Sequence, residues 1–306
     1  MAIVLGENRY GKAENRVFRV TRSGDRHEVL DLNVSVQLSG EFLDTHLTGD
    51  NSRVLPTDTM KNTVFALSHS YGAMEPEAFA LVVARHFIAK IPYVSRAEVR
   101  IEKFAWERII SQSTPHPRAF RRDGSMTRTA SAVVCRLDTG TNEFVVCGLQ
   151  DLVILKTSDS EFKDFLHDPF TTLIDATDRI MSTQVTARWR MTATDAAALN
   201  AIDWNKQFDC ALDTLLSVFA QHHSLSLQQT LFAMGKRVLS EQPAIAAIRL
   251  SLPNKHHHLV DLSPFGQVNR NEVFIAADRP YGLIEAVIER DDAPSLNPTI
   301  PSWPAW

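Results

Sequence analysis

The sequence predicts an α+β protein built from two similar units, each an antiparallel sheet with helices on one face. Three observations lead there. A long segment alternates apolar and polar residues, two helices of matching pattern lie about half a chain apart, and an apolar strand follows each helix. The length of 306 residues suits about two ordinary domains and is ample for a large core.

The alternating segment is Leu30, Leu32, Val34, Val36 and Leu38, interleaved with Asp31, Asn33, Ser35 and Gln37. A period of two describes a strand with one apolar and one wet face. Val17-Phe18-Arg19-Val20 reads as a shorter strand, and Ser23-Gly24-Asp25 as the turn that makes the pair a hairpin. The first helix starts at Pro76, a residue favoured at a first helical position, and stops before Pro92. It presents Phe79, Val82, Val83 and Phe87 on one face, and a strand through Val99 and Ile101 follows.

Near the middle, Ala132 to Cys135 and Phe144 to Cys147 flank Asp138-Thr139-Gly140-Thr141-Asn142, which reads as a second hairpin, before an apolar run from Leu152 to Leu155. The second helix starts after Ser226, presents Leu227, Leu231, Met234 and Val238, and stops before Pro243. A strand through Ile248, Leu250 and Leu252 comes next. The expected domains are residues 1–130 and 131–306. The wet strand faces suit the lining of a water-filled barrel formed by several subunits.

Charge and cysteine usage narrow the function. Lys and Arg number 32 against 36 Asp and Glu, a net charge of -4, which argues against a broad nucleic-acid surface while allowing a local basic pocket. Cys135, Cys147 and Cys210 form no C-x-x-C pair, so zinc-ribbon and thioredoxin readings fail, and a sparse odd set suits a reducing compartment. No apolar run approaches the roughly 18 residues of a membrane span. The start, Met1 to Arg9, is too short in apolar residues for a signal peptide, and Pro301-Ser302-Trp303-Pro304-Ala305-Trp306 is no peroxisomal tripeptide. A soluble cytoplasmic protein is expected. Asn33-Val34-Ser35 matches a glycosylation sequon by chance, inside a strand.

Nucleotide-loop, nucleophile-elbow and H-E-x-x-H motifs are absent. His256-His257-His258 suggests a metal, but on a strand His257 faces away from its neighbours and no carboxylate or cysteine is spaced to help. Asn254 and His256 share a face, where an amide beside an imidazole can hold a polar ligand and move its protons, or simply be an exposed polar pair. Ser226-Leu227-Gln228-Gln229 is a capping box, and its free N–H groups with the Gln228 amide offer an anion or imide site. Arg179 supplies either a guanidinium fork or half of a surface ion pair. Pro56-Thr57-Asp58-Thr59 reads as a turn or helix cap, and Lys12 in Tyr10-Gly11-Lys12 as a solvated cation.

Taken together, Tyr10-Gly11-Lys12, Thr57-Asp58-Thr59 with Lys61-Asn62-Thr63, Phe162 in Glu161-Phe162-Lys163, Asp178-Arg179-Ile180, Leu227-Gln228 and Leu252-Pro253-Asn254-Lys255-His256 resemble the urate oxidase (uricase) family, in its order and over nearly the whole chain. The resemblance implies two tandem tunnelling-fold domains, with antiparallel sheets and helices on the outer face. Four chains are then expected to form a tunnel-forming barrel with active sites at subunit interfaces. It further implies oxidation of urate by O2 to 5-hydroxyisourate and H2O2, with neither metal nor organic cofactor.

The implied roles are specific. Arg179 and Gln228 grip the polar edges of urate, the Leu227 and Asp58 backbone N–H groups add donors, and Phe162 stacks on the flat face. Lys12, Thr57 and His256 form the proton relay, in which a lysine base needs its pKa lowered by burial or charge. Thr57 and Asn254 hold the oxygen species opposite Phe162. Lys12, Thr57 and Asp58 are expected from one subunit, and Phe162, Arg179, Gln228, Asn254 and His256 from its neighbour. Family members often carry valine at the position of Leu227, a change that a backbone contact survives. The sequence departs from the family's pattern near Phe170 and at Ala176, expected behind the site. Competing readings are another purine- or pterin-handling enzyme of the same fold, and a purine-binding protein without turnover.

Overall fold

The computed structural model describes residues 1–293 and Trp303; the rest of the C-terminal hexapeptide singled out above lies outside the described residues. In chain order the elements are β1 (Tyr10–Ser23), β2 (Arg26–Gly40), α1 (Leu43–Leu47), α2 (Thr57–Tyr71), α3 (Pro76–Lys90), β3 (Val94–Phe104), β4 (Trp106–Ser111), β5 (Thr114–Arg122) and β6 (Thr127–Leu137). Then follow β7 (Gly140–Lys156), β8 (Met181–Met191), α4 (Ala196–Asn200), α5 (Trp204–Gln221), α6 (Leu227–Glu241), β9 (Ile245–Leu259) and β10 (Phe274–Glu289).

The chain divides into two compact units. One holds Met1–Gly148 and Arg190–Phe208, the other Leu149–Trp189 and Asp209–Asp292, so the divisions fall inside β7 and β8 and within α5. In the first, β1-β2-β3-β6 form an antiparallel sheet covered by α3 on β3 and β6. In the second, β8-β9-β10 lie side by side, β9 and β10 are antiparallel, and α6 covers that pair. The fold is α+β with helix-backed antiparallel sheets, as expected of tunnelling-fold domains.

The apolar row of β2 behaves as its periodicity requires: Leu32, Val34, Val36 and Leu38 are fully buried. Toward its start the other face is polar but tightly paired rather than loosely wet, whereas further along the Gln37 side-chain oxygen is buried without a partner. Arg16 clamps the buried Asp31 with two bonds of 2.7 Å, Trp106 adds a third at 2.9 Å, and Asn33 donates to Glu102 at 3.0 Å. Such pairing offsets the cost of setting a carboxylate into a sheet.

The two helices expected from the sequence run over Pro76–Lys90 and Leu227–Glu241, within the limits set by their prolines and the Ser226 cap. The repeat between the units is tighter than the sequence pattern. Arg136 donates to the carbonyls of Val94 (3.1 Å), Ile91 (3.0 Å) and Ile88, tying its strand to the end of α3. Arg290 does the same to Ile245 (2.9 Å), Gln242 (3.3 Å) and Leu239 at the end of α6. A shift of 151 residues carries Val94, Ile91 and Ile88 onto Ile245, Gln242 and Leu239, and 154 carries Arg136 onto Arg290.

Some elements differ from expectation. The strands through Ala132–Cys135 and Phe144–Cys147 are β6 and β7, the last of one repeat and the first of the next, so the counterpart of the β1–β2 hairpin is β7 with β8. Residues of both strands around this turn are buried on both faces, which removes the alternation that would have sorted them. The expected domain boundary at 130/131 lies inside β6. Helices α2 and α5 and the strand β8 were not read from the sequence. For α5 the signal exists: Phe208, Ala211, Leu215 and Phe219 recur at helical spacing and are buried, after an Asp203 side chain that accepts from the Lys206 N–H at 3.0 Å.

No disulfide joins Cys135, Cys147 and Cys210; the first two are buried and the third is exposed. No helix among the described residues is long and apolar enough to cross a membrane.

Candidate active site

The first unit contributes Lys12, Thr57 and Asp58. Gly11 sits where β1 nearly touches β2: a Cβ there would lie 1.8 Å from the Val36 carbonyl oxygen, so only glycine allows the approach. Beside it the Tyr10 hydroxyl accepts from the Leu55 N–H at 3.0 Å, and its ring meets Phe42 edge-on at 4.8 Å. Burial pushes the Tyr10 pKa up, against that hydrogen bond. Tyr10 thereby draws the strand carrying Lys12 to the segment that enters α2.

Thr57 and Asp58 open α2 directly after Pro56, with no side chain capping the end. The Met60 N–H makes the first bond back to Pro56 (3.2 Å), so the helix itself leaves the Thr57 and Asp58 N–H groups over as donors. The Asp58 carboxylate accepts from Lys61 and, at 3.0 Å, from Asn62. Lys61 chiefly, then Asn62 and the charge of Lys12, hold it below the ordinary carboxylate range. Lys12 and Asp58 are therefore electrostatic neighbours.

The second unit contributes Phe162, Arg179, Leu227, Gln228, Asn254 and His256. Backbone pairing of a short segment organises the first four. The Glu161 N–H bonds Ser224 (2.7 Å), just ahead of α6, and Phe162 exchanges two bonds with Ala176 (2.8 and 2.9 Å), three residues before Arg179. Phe162, Arg179 and the start of α6 are thus tied through one stretch of main chain. The Arg179 guanidinium carbon lies 5.2 Å from the Phe162 ring centre, and Phe165 stacks against Phe162 at 5.1 Å. Burial lowers the Arg179 pKa, and its Nε is buried without a hydrogen-bond partner. A buried donor left unmade costs about 1–3 kcal/mol, which an acceptor on a ligand would relieve.

At the start of α6 the capping box forms in altered shape. The Ser226 side chain accepts from the Gln229 N–H (3.1 Å), but the Gln229 side chain accepts from Leu225 rather than from Ser226 (2.9 Å). Leu227 is buried and Gln228 exposed, so the helix start presents the Gln228 amide outward. Asn254 and His256 follow on the same face of β9, and the His256 and His258 rings stack at 5.8 Å. Burial first, then the charges of His258, Arg179 and His257, lower the His256 pKa. Among the described residues no cluster of His, Cys, Asp and Glu is placed to hold a metal.

Ala176 is the backbone partner of Phe162, whereas Phe170 belongs to an exposed loop with Leu166, Leu173 and Ile174. Sequence reasoning missed Tyr10 and Gly11 as positioning residues. The glycine between an aromatic and a lysine at a strand start was the available signal.

The uricase family model matches residues 8–133 and 145–285. The chain belongs to the uricase family. It is 45% identical to a uricase of Arthrobacter globiformis over 97% of this chain and 93% of that protein, and 37% identical to one of Dictyostelium discoideum over 94% and 97%. A crystal structure of uricase from Arthrobacter globiformis superposes with a TM-score of 0.90 at 44% identity, covering 97% of this chain and 99% of that one. Every candidate residue falls inside the segments matched by the uricase model, which are parted by the β6–β7 turn.

Proposed function

We propose that the chain oxidises urate in purine degradation. Urate gives two electrons to O2, which takes up two protons and leaves as H2O2. The hydroxyl of a water adds to the purine as 5-hydroxyisourate, and no metal or organic cofactor takes part. The observation that carries this reading is the unpaired, buried Nε of Arg179 beside the Phe162 ring in a member of the uricase family.

In this reading Arg179 and Gln228 grip the ring's polar edges, the Leu227 and Asp58 N–H groups add donors, and Phe162 stacks on the face. Lys12, Thr57 and His256 pass protons, since a more negative urate donates electrons more readily. The depressed His256 pKa supports this, because a neutral imidazole can accept. Thr57 with Asn254 holds O2 and the attacking water over the face opposite Phe162.

The site is completed by a second copy of the chain, with Lys12, Thr57 and Asp58 from one subunit and the remaining residues from its neighbour. Four copies form a homotetramer around a tunnel. The exposed Leu166, Phe170, Leu173 and Ile174, in the loop between Phe162 and its partner Ala176, favour burial by another subunit. A cytoplasmic location is proposed from the sparse, odd set of three cysteines, which suits a reducing compartment.

The test mixes chelator-treated protein with urate in air and follows ultraviolet absorbance, oxygen and peroxide. Loss of urate with matching oxygen uptake and peroxide release is expected. Binding without turnover, or turnover only on adding zinc, would defeat the proposal in favour of a purine-binding protein or a pterin-type relative.

A further inference from the structure

The repeat extends to strand register. Under the same shifts of 151 and 154 residues, Ile101 opposite Ala130 becomes Leu252 opposite Ile284. Lys103 opposite Arg128 becomes Asn254 opposite Gly282. On the covering helices Glu77 becomes Gln228, each the second residue of its helix. Two equivalent frameworks therefore carry different side chains at one corner.

In the first unit that corner is filled. Arg128 donates to both oxygens of Glu77 (3.1 and 2.8 Å), to the Asn205 side chain (2.8 Å) and to the Trp204 carbonyl (2.9 Å). Its guanidinium carbon lies 4.4 Å from the Phe208 ring centre. A planar cation is thus held at its edges by acceptors and on its face by an aromatic ring, and Glu77 is 0% exposed. In the second unit the counterpart of Arg128 has no side chain, and the counterpart of Glu77, Gln228, is exposed.

Gly282 borders a register irregularity of β10, between Ala277 and Gly282, but its own φ does not demand glycine. It is absent from the positive-φ positions, and a Cβ there would make ordinary contacts, 3.5 Å to Ile284 and 3.8 Å to Asn254.

We infer that the Glu77–Arg128 corner is a closed copy of the substrate site, and that Gly282 is the specificity-determining residue that keeps the working copy open to a planar purine. This rests on the proposed assignment of Arg179, Gln228 and Asn254 to substrate binding.

The experiment titrates the full-length protein with urate under nitrogen, comparing Gly282→Ala, Gly282→Leu and Gly282→Arg, with melting temperatures and oligomeric state measured alongside. Affinity is expected to fall with side-chain size, on the order of 10-fold for alanine and 100-fold or more for leucine, while the fold is retained. The arginine variant is expected to bind no urate. Unchanged affinity in the leucine variant overturns the inference, and the alanine and leucine variants decide the matter if the arginine variant does not fold. Arg179→Ala is titrated in parallel. Weakened binding there with unchanged binding in Gly282→Leu overturns the Gly282 role alone; unchanged binding in both overturns the substrate-site reading itself.

Discussion

Arg179 lies across the face of Phe162, 5.2 Å from guanidinium carbon to ring centre, with its Nε buried and unpaired. The aromatic face restrains the guanidinium while leaving a donor free for an in-plane acceptor. Arg179→Ala is expected to raise KM by about 10- to 100-fold, the worth of charge-assisted hydrogen bonds. Steady-state kinetics with urate checks it, and an unchanged KM would remove the clamp.

Lys12 and Thr57 belong to the unit that lacks Arg179 and Gln228, and their expected effect is on turnover. Lys12→Met and Thr57→Ala should lower kcat by about 100-fold or more while binding of urate under nitrogen changes little. Near-parental kcat in both variants would dismiss the relay.

His256 should titrate below its ordinary value of 6.5, chiefly because burial disfavours its charged form. The depressed folded pKa means that the neutral ring is the stabilised one. This group's contribution to stability is complete above 6.5 and is lost as pH falls through the folded pKa. NMR titration of the ring measures the pKa directly, and Arg179→Ala, by removing a nearby cation, should move it upward.

Arg128 is buried with Glu77, and removing it strands a carboxylate that burial already pushes upward in pKa while Arg128 opposes the shift. Arg128→Met should destabilise the protein by about 3–5 kcal/mol, and adding Glu77→Gln should recover much of it. The single variant's deficit should shrink in acid, where Glu77 takes up a proton. Urea unfolding of the two single variants and the double variant tests this; strict additivity would contradict direct coupling.

Much of the fold was legible because local signals agreed with the tertiary outcome. Pro76 and Ser226 mark helix starts by their own backbone and capping chemistry, and the β2 alternation needs only one buried face to hold. Thr57 was visible as a turn or cap after Pro56, but the helix behind it was not, since few of its residues are buried. The candidate residues were recognisable as a set through family resemblance. Their chemistry was ambiguous taken singly, because a lone arginine, glutamine or lysine reads equally as a solvated surface group.

By itself the sequence determined the α+β class, the doubled pattern and the set of candidate residues, because periodicity, caps and short motifs are local properties of the chain. Tertiary structure alone decided which of two matching corners is open. Glu77 and Gln228 occupy the same helical position, and neither reveals from its neighbours in sequence that an arginine on a paired strand fills one corner while a glycine leaves the other bare. That difference is set across strands, by side-chain volume and charge arriving from residues remote along the chain, where no local pattern reaches.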